Sequence, residues 1–282
     1  MLRYIEGRGY CAFASRSFVA GELILTERPM VWVHGYHPFT VAQVDEVERA
    51  VAALPPVERK AFYAMANVFA PTESGGSRAA GVFMTNSFEM AGSTHGDCSA
   101  MYLAIARLNH SCAPNAQQTH LPATGEEALY ASRDIAVGEE VCDCYIDLRQ
   151  ARHNRQCELQ ELFRFTCACV ACAVPDSRAD DALRVRAARF EDEGVLAAEA
   201  GDLALALEVV LGGVKLLEAA GNLPWSVRYC AAAHVAAHQL YTAVGERRMA
   251  AAHAASAHRY NLLLQGPHSP DTLRTAELVR EA

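Results

Sequence analysis

The stretch Arg107-Leu108-Asn109-His110-Ser111-Cys112-Ala113-Pro114-Asn115 decides how this chain is read. It is a polar loop that gathers two asparagines, a histidine, a serine and a cysteine. A His-Ser pair with no acid beside it is not a hydrolase site, so the stretch needs partners. Downstream come Gly138-Glu139-Glu140 and then Tyr145-Ile146-Asp147; upstream, Gly7-Arg8-Gly9 precedes the first strand-like run. Each is weak alone, since a Gly-x-Gly usually marks a turn in which glycine supplies a positive φ. Their joint occurrence in one order is the signal.

Further along lies Cys167-x-Cys169-x-x-Cys172. Three thiolates within six residues can wrap one ion, and so short a loop makes poor internal disulfides. Tetrahedral zinc needs four ligands, so a fourth must come from elsewhere. Cys112, in the polar loop, is the best candidate, with Cys98, Cys142, Cys144 and Cys157 as competitors. Cys142 and Cys144 share one face of a predicted strand, which favours buried packing for them.

Composition sets the outer bounds. The 282 residues are 51% hydrophobic, enough for a sizeable core and unlike a disordered chain. No apolar run reaches the roughly 18 residues of a membrane span, and the N-terminus lacks the apolar core of a signal peptide. Ten cysteines without a secretory signal point to a reducing compartment, cytoplasm or nucleus. A net charge of −8 disfavours a phosphate-backbone binder, so no direct nucleic-acid binding is expected, and without a long apolar run no membrane association is expected either.

Residues 1–35 read as β structure. Val41, Val44, Val47, Val51 and Leu54 recur at helical spacing, Pro55-Pro56 stops that helix, and a second is predicted from Val57 to Phe69. Pro71 to Ala80 reads as a mobile loop, and residues 82–145 as short segments. An echo runs through the β regions. Ala14-Ser15-Arg16 is followed by Gly21-Glu22, and Ala131-Ser132-Arg133 by Gly138-Glu139, as if in two similar hairpins. After Cys172, helices are predicted over Asp180–Ala200, Asp202–Ala219, Ser226–Val244 and Glu246–Leu264, punctuated by Gly201, Gly221 and Gly245, with a last short helix after Pro270.

Taken together, these motifs resemble SET-domain protein-lysine methyltransferases, and within them the SET-and-MYND branch and its fungal-type relatives. The resemblance covers residues 3–35 and 82–175. Residues 36–81 hold no cysteine, so no MYND finger is expected there. The resemblance implies an α+β fold: small SET-domain β-sheets with a helical insertion, a zinc-bound post-SET segment and a C-terminal TPR-like helical bundle. It sets the SET domain at 1–162 with the insertion at about 36–81, the post-SET segment at 163–175 and the helical domain at 176–282.

It also implies the site. Arg8, Gly9 and Tyr10 match the loop lying along S-adenosyl-L-methionine. Asn109 and His110 match the pair at its adenosyl part, Asn86 the residue at its methionine end, and Phe165 the aromatic on adenine. Tyr145 matches the tyrosine that closes the lysine channel, where it also meets the cofactor and is the catalytic candidate, and Phe88 matches a channel wall. Cys112, Cys167, Cys169 and Cys172 match the ligands of Zn(2+). The implied substrate is a lysine-containing protein, such as a histone tail. The Cys142-Asp143-Cys144 run before Tyr145 departs from the family's ordinary strand residues. The rival reading is a non-catalytic scaffold that presents its helices as a docking surface.

Overall fold

The computed structural model describes residues 1–35, 40–70, 72–93, 96–221 and 223–281. Parts of the expected insertion and loop, residues 36–39 and Pro71, lie outside these. The chain divides into two compact units. Met1–Ala12, Ile24–Leu108 and Gln118–Leu129 make the first; Phe13–Leu23, Asn109–Gln117 and Tyr130–Ala282 make the second.

In the first unit, β1 (Leu2–Ile5) and β2 (Gly9–Ala12) form an antiparallel hairpin. Its turn needs Gly7 and Gly9 at φ +77° and +73°, a region glycine enters without steric cost. The chain continues through β3 (Leu23–Glu27) and β4 (Val31–His34) into three helices, α1 (Val41–Ala53), α2 (Pro56–Tyr63) and α3 (Arg78–Asn86). β5 (Ser87–Ser93) and β6 (Gly96–Met101) follow and join β4 in the order β4-β6-β5. Val31, Val33, Val47, Val51, Phe62, Val82, Phe83 and Met101 bury together as this unit's core.

The predicted helix 41–54 is present and opens on a capping box between Thr40 and Gln43. Val47 and Val51 are buried as the spacing requires, but Val41, the first helical residue, is 80% exposed. The second helix stops at Tyr63, well short of Phe69. Its continuation is taken over by α3 side chains: Asn86 Nδ2 donates to the Ala66 carbonyl at 2.8 Å, and the Val68 N–H donates to Thr85 Oγ1 at 3.1 Å. The expected loop also yields early to helix, because Ser77 caps α3 by accepting the Ala80 N–H. Residues 82–86 therefore belong to this helix and not to the run of short segments read from the sequence over 82–145.

A short 3₁₀ turn (Ile105–Arg107) leads to β7 (Asn109–His110), β8 (Ala116–Leu121), β9 (Glu126–Ala131) and β10 (Cys142–Asp143). One three-stranded sheet has the order β3-β9-β8, and β7 pairs in parallel with β10.

The echo has a structural meaning in the second unit. The two echoing segments do not form separate hairpins; they pair with each other about a local dyad. Phe18 and Ile135 exchange both backbone hydrogen bonds at 2.9 Å. On one side Ala14 bonds Gly138 and Glu139; on the other Ala131 bonds Gly21 and Glu22. Even the ion pairs repeat: Arg16–Glu22 and Arg133–Glu139 each close at 2.6 Å.

The rest of the second unit is helical: α4 (Arg152–Phe163), α5 (Val170–Ala173), α6 (Arg178–Glu199), α7 (Leu203–Ala219), α8 (Val227–Ala243), α9 (Arg247–Gln265) and α10 (Pro270–Glu281). The four long predicted helices match α6 to α9 within two residues. Gly201 and Gly245 take the positive φ that ends a helix tightly. α4 is a helix the sequence reading missed. Among the described residues no helix is long and apolar enough to cross a membrane.

Candidate functional site

The decisive stretch is set by β7 and β10, which bring chain segments more than thirty residues apart side by side: Asn109 opposite Cys142 and His110 opposite Asp143. Side chains reinforce the pairing. The Ser111 N–H donates to the Asp143 carbonyl at 2.8 Å. Asn115 donates through Nδ2 to the Glu140 carbonyl at 2.8 Å and accepts the Cys142 N–H through Oδ1, also at 2.8 Å. Asn109 Nδ2 donates to Glu140 Oε1 at 3.0 Å. Asn109, Asn115, Glu139 and Glu140, read from the sequence as loose motifs, thus form one hydrogen-bonded joint.

Tyr145 follows β10 directly. Its N–H donates to His110 Nδ1 at 3.0 Å, and its ring leans on His110, Phe163 and Phe165 at centroid distances of 5.4, 4.9 and 6.4 Å. The ring is 37% exposed. Its phenol is nonetheless pushed above the ordinary tyrosine range, first by burial and then by Asp143, Cys142 and Glu140. The hydroxyl stays protonated at neutral pH, so it is not a ready base. Phe163 is a residue the sequence reading passed over. It ends α4, and Arg164, the one non-glycine residue with positive φ among those described, reverses the chain so that Phe163 and Phe165 both reach Tyr145.

Below this aromatic group the sulfurs of Cys112, Cys167, Cys169 and Cys172 lie within 4.8 Å of one another. Tetrahedral zinc with four thiolates spaces its sulfurs by about 3.8 Å, and the Cys112–Cys172 pair stands at 3.5 Å. The competing cysteines fall elsewhere: Cys98 on β6 of the first unit, Cys157 exposed on α4, and Cys144 with its thiol pushed up to about 12 by burial. Hydrogen bonds among the four sulfurs drive Cys169 far below the usual thiol range and Cys112 far above it, as when thiols contend for shared protons.

A second observation fits this set to a dication. Arg155 on α4 is fully buried. It donates through Nη1 to the Gln150 carbonyl and reaches Asp181 at 3.4 Å, but its Nε and Nη2 meet no hydrogen-bond partner of ordinary geometry. Burial pulls this guanidinium down, and Cys112 and Cys172 hold it up. A buried cation beside the Cys112 and Cys172 sulfurs suits a metal bound by four thiolates, whose net charge is −2.

The helices buttress the loop. Arg184, on α6, donates to the Cys112 carbonyl at 3.0 Å and the Leu148 carbonyl at 2.7 Å. Arg228, on α8, bonds Asp143 at 3.0 Å, and the Tyr229 hydroxyl donates to Asp147 at 2.7 Å. None of these was flagged by sequence, where each looks like an ordinary helix residue.

The other expected site residues lie in the first unit. Gly7 and Gly9 leave open space where a Cβ would stand. Tyr10, 48% exposed, carries the Arg107 guanidinium over its ring at 5.0 Å. Phe88, on β5, packs against Tyr102 at 5.9 Å. Asn86 spends its amide hydrogens on the Ala66 and Val82 carbonyls at 2.8 and 2.7 Å, which leaves Oδ1 as the atom able to meet a ligand.

Residues 9–146 match the family described as the SET domain. The chain carries a SET domain. Curated relatives of this SET-domain chain include histone-lysine N-methyltransferase set5 of Schizosaccharomyces pombe, 29% identical over 62% of this chain and 50% of that protein. Histone-lysine N-methyltransferase SMYD3 of Homo sapiens is 38% identical over 28% of this chain and 18% of its own length. Protein-lysine N-trimethyltransferase SMYD5 of Gallus gallus is 38% identical over 29% and 20%. The chain thus spans half or less of the relatives it matches.

Proposed function

We propose that this chain is an S-adenosyl-L-methionine-dependent protein-lysine N-methyltransferase with one structural zinc. The observation that carries the reading is the SET-domain match over residues 9–146, reinforced by relatives that are named lysine methyltransferases. When bound, the cofactor would supply an electrophilic methyl group. This chain's residues have two tasks. They position the target amine, since near-attack geometry can remove roughly 7–11 kcal/mol of barrier. They also favour its neutral form, because a free lysine, with pKa near ~10.4, must first lose a proton. An aromatic lining of Tyr145 and Phe163 would disfavour the ammonium by desolvation; Phe88 is the proposed channel wall.

Asn109, His110 and Phe165, with Arg8, Gly9, Tyr10 and Asn86, are the proposed cofactor contacts. Cys112, Cys167, Cys169 and Cys172 are the proposed ligands of zinc, a closed four-thiolate shell with no open position. The division into a SET domain at 1–162, a post-SET segment at 163–175 and a helical domain at 176–282 is part of the same reading. So are a protein substrate such as a histone tail and a place in the cytoplasm or nucleus. Calorimetry with the cofactor is the direct test. Absence of binding overturns the reading and promotes the scaffold.

Tyr145→Phe separates binding from chemistry. The ring stays and its backbone bond to His110 is untouched, so cofactor affinity should hold. Methyl transfer to a lysine-bearing protein should fall about tenfold or more, equivalent to at least ~1.4 kcal/mol of barrier. Unchanged turnover at saturating cofactor would leave Tyr145 as a wall.

Self-methylation should be weak. The two lysines, Lys60 and Lys215, are exposed on α2 and α7. A channel that admits an extended chain excludes a helix about 10–12 Å across. Stoichiometric labelling of Lys215 in the folded chain, read by mass spectrometry, would contradict the narrow channel.

A further inference from the structure

We infer that His110 is a positioning residue that ties the backbone of Tyr145 to the sulfur of Cys112, so that the metal site sets where Tyr145 stands. The inference rests on the proposed metal site and the proposed role of Tyr145. It is carried by the two ends of one ring. His110 is 6% exposed on β7, and both its nitrogens are engaged. Nδ1 accepts the Tyr145 N–H at 3.0 Å, so that nitrogen carries no proton. In the neutral ring the proton is then on Nε2, which lies 3.3 Å from Cys112 Sγ and donates to it.

The tautomer is fixed from the tyrosine side, and the free donor is aimed at a sulfur. A hydrogen bond to a metal-bound thiolate draws charge from the sulfur and orients it, as outer-shell partners of metal ligands do. The same ring touches Phe165 at 6.2 Å, the aromatic that follows the Arg164 reversal. Motion of Cys112 therefore reaches Tyr145 through a rigid five-membered ring, not through thirty residues of chain.

The two ends can be separated by substitution. Asn places an amide oxygen near the Nδ1 position and keeps the tyrosine bond; Gln places an amide N–H near Nε2 and keeps the sulfur bond; Phe keeps the volume and neither. The first readout is the absorption of the cobalt(II)-substituted protein. Loss of the donor should move the sulfur-to-cobalt charge-transfer bands to lower energy in His110→Phe and His110→Asn, and His110→Gln should restore them. The second is the Tyr145 amide in protein labelled with ¹⁵N-tyrosine, its peak assigned by its disappearance in Tyr145→Phe. Its proton should move upfield in His110→Phe and His110→Gln and hold in His110→Asn.

The third readout tests the coupling. Exchanging zinc for the larger cadmium should shift the Tyr145 amide in the wild type and leave it in place in His110→Asn, where the tyrosine bond survives without the link to sulfur. Bands unmoved in His110→Phe, or a cadmium shift of full size in His110→Asn, overturns the inference. None of these measurements needs cofactor or turnover. Failure of the methyltransferase reading would show instead in the calorimetry, with these spectra unchanged.

Discussion

Cys112→Ala should leave the purified protein without stoichiometric zinc and lower its thermal midpoint by roughly 10 °C. Cys112 is fully buried, its sulfur is 3.5 Å from that of Cys172, and its N–H donates to Cys169 Sγ at 3.3 Å. It is the one ligand contributed by the loop after β7; the other three come from a single six-residue segment. Its removal unlinks that segment from the loop and leaves three thiolates in a site built for four. Structural zinc sites contribute about 10–16 kcal/mol of apparent binding free energy that is also folding free energy. A loss of about 3–5 kcal/mol, the scale for disrupting a buried charged set, gives that midpoint shift at roughly 2–4 °C per kcal/mol. Cys142→Ala is the control and should keep its metal. Full zinc content in Cys112→Ala after dialysis against a chelator would remove Cys112 from the ligand set.

What could be read from the sequence were features coded locally. Gly7 and Gly9 announce a turn by their freedom at positive φ, and both take it. Cys167, Cys169 and Cys172 announce a metal loop by spacing, and Gly201 and Gly245 mark helix ends that the structure keeps. The pairing of β7 with β10 is different. Nothing in Asn109-His110 specifies Cys142-Asp143 as its neighbour, and the joint depends on side chains of Asn115 and Glu140 whose partners are distant in sequence. The motif order revealed these residues; physics at the level of one segment did not.

Helix α4 escaped for the opposite reason. It has so few apolar residues that only Leu159 and, unexpectedly, Arg155 are buried. A periodicity built on apolar residues cannot see a face whose buried member is an arginine. The overextended second helix failed similarly, since Thr85 and Asn86 claim the backbone of residues 66–68 from outside the segment.

That arginine gives the second large prediction, in which one substitution acts with opposite sign on two forms of the protein. Arg155→Met keeps the length and apolar stem of the side chain and removes its charge. Asp181 is not stranded, because its carboxylate still accepts the Arg152 N–H at 2.7 Å and the Ser177 hydroxyl at 2.6 Å. The Gln150 carbonyl loses a donor. In metal-free protein the change removes a buried guanidinium whose lost hydration is offset only by Gln150, Asp181 and the sulfurs of Cys112 and Cys172, and replacing buried charge by apolar volume is often neutral or stabilising. With zinc bound by four thiolates the net charge of −2 loses its buried counter-cation. Removing one partner of a buried charged pair costs about 3–5 kcal/mol, which corresponds to roughly 10²–10³-fold weaker zinc binding at 1.4 kcal/mol per decade. Competition against a chromophoric chelator reads the affinity, and melting with and without chelator reads the two stabilities. The expected pattern is an unchanged or raised midpoint without metal and a lowered one with it. Unchanged zinc affinity in Arg155→Met would show that backbone N–H donors, such as that of Cys112 to Cys169, already neutralise the site, and that Arg155 serves packing alone.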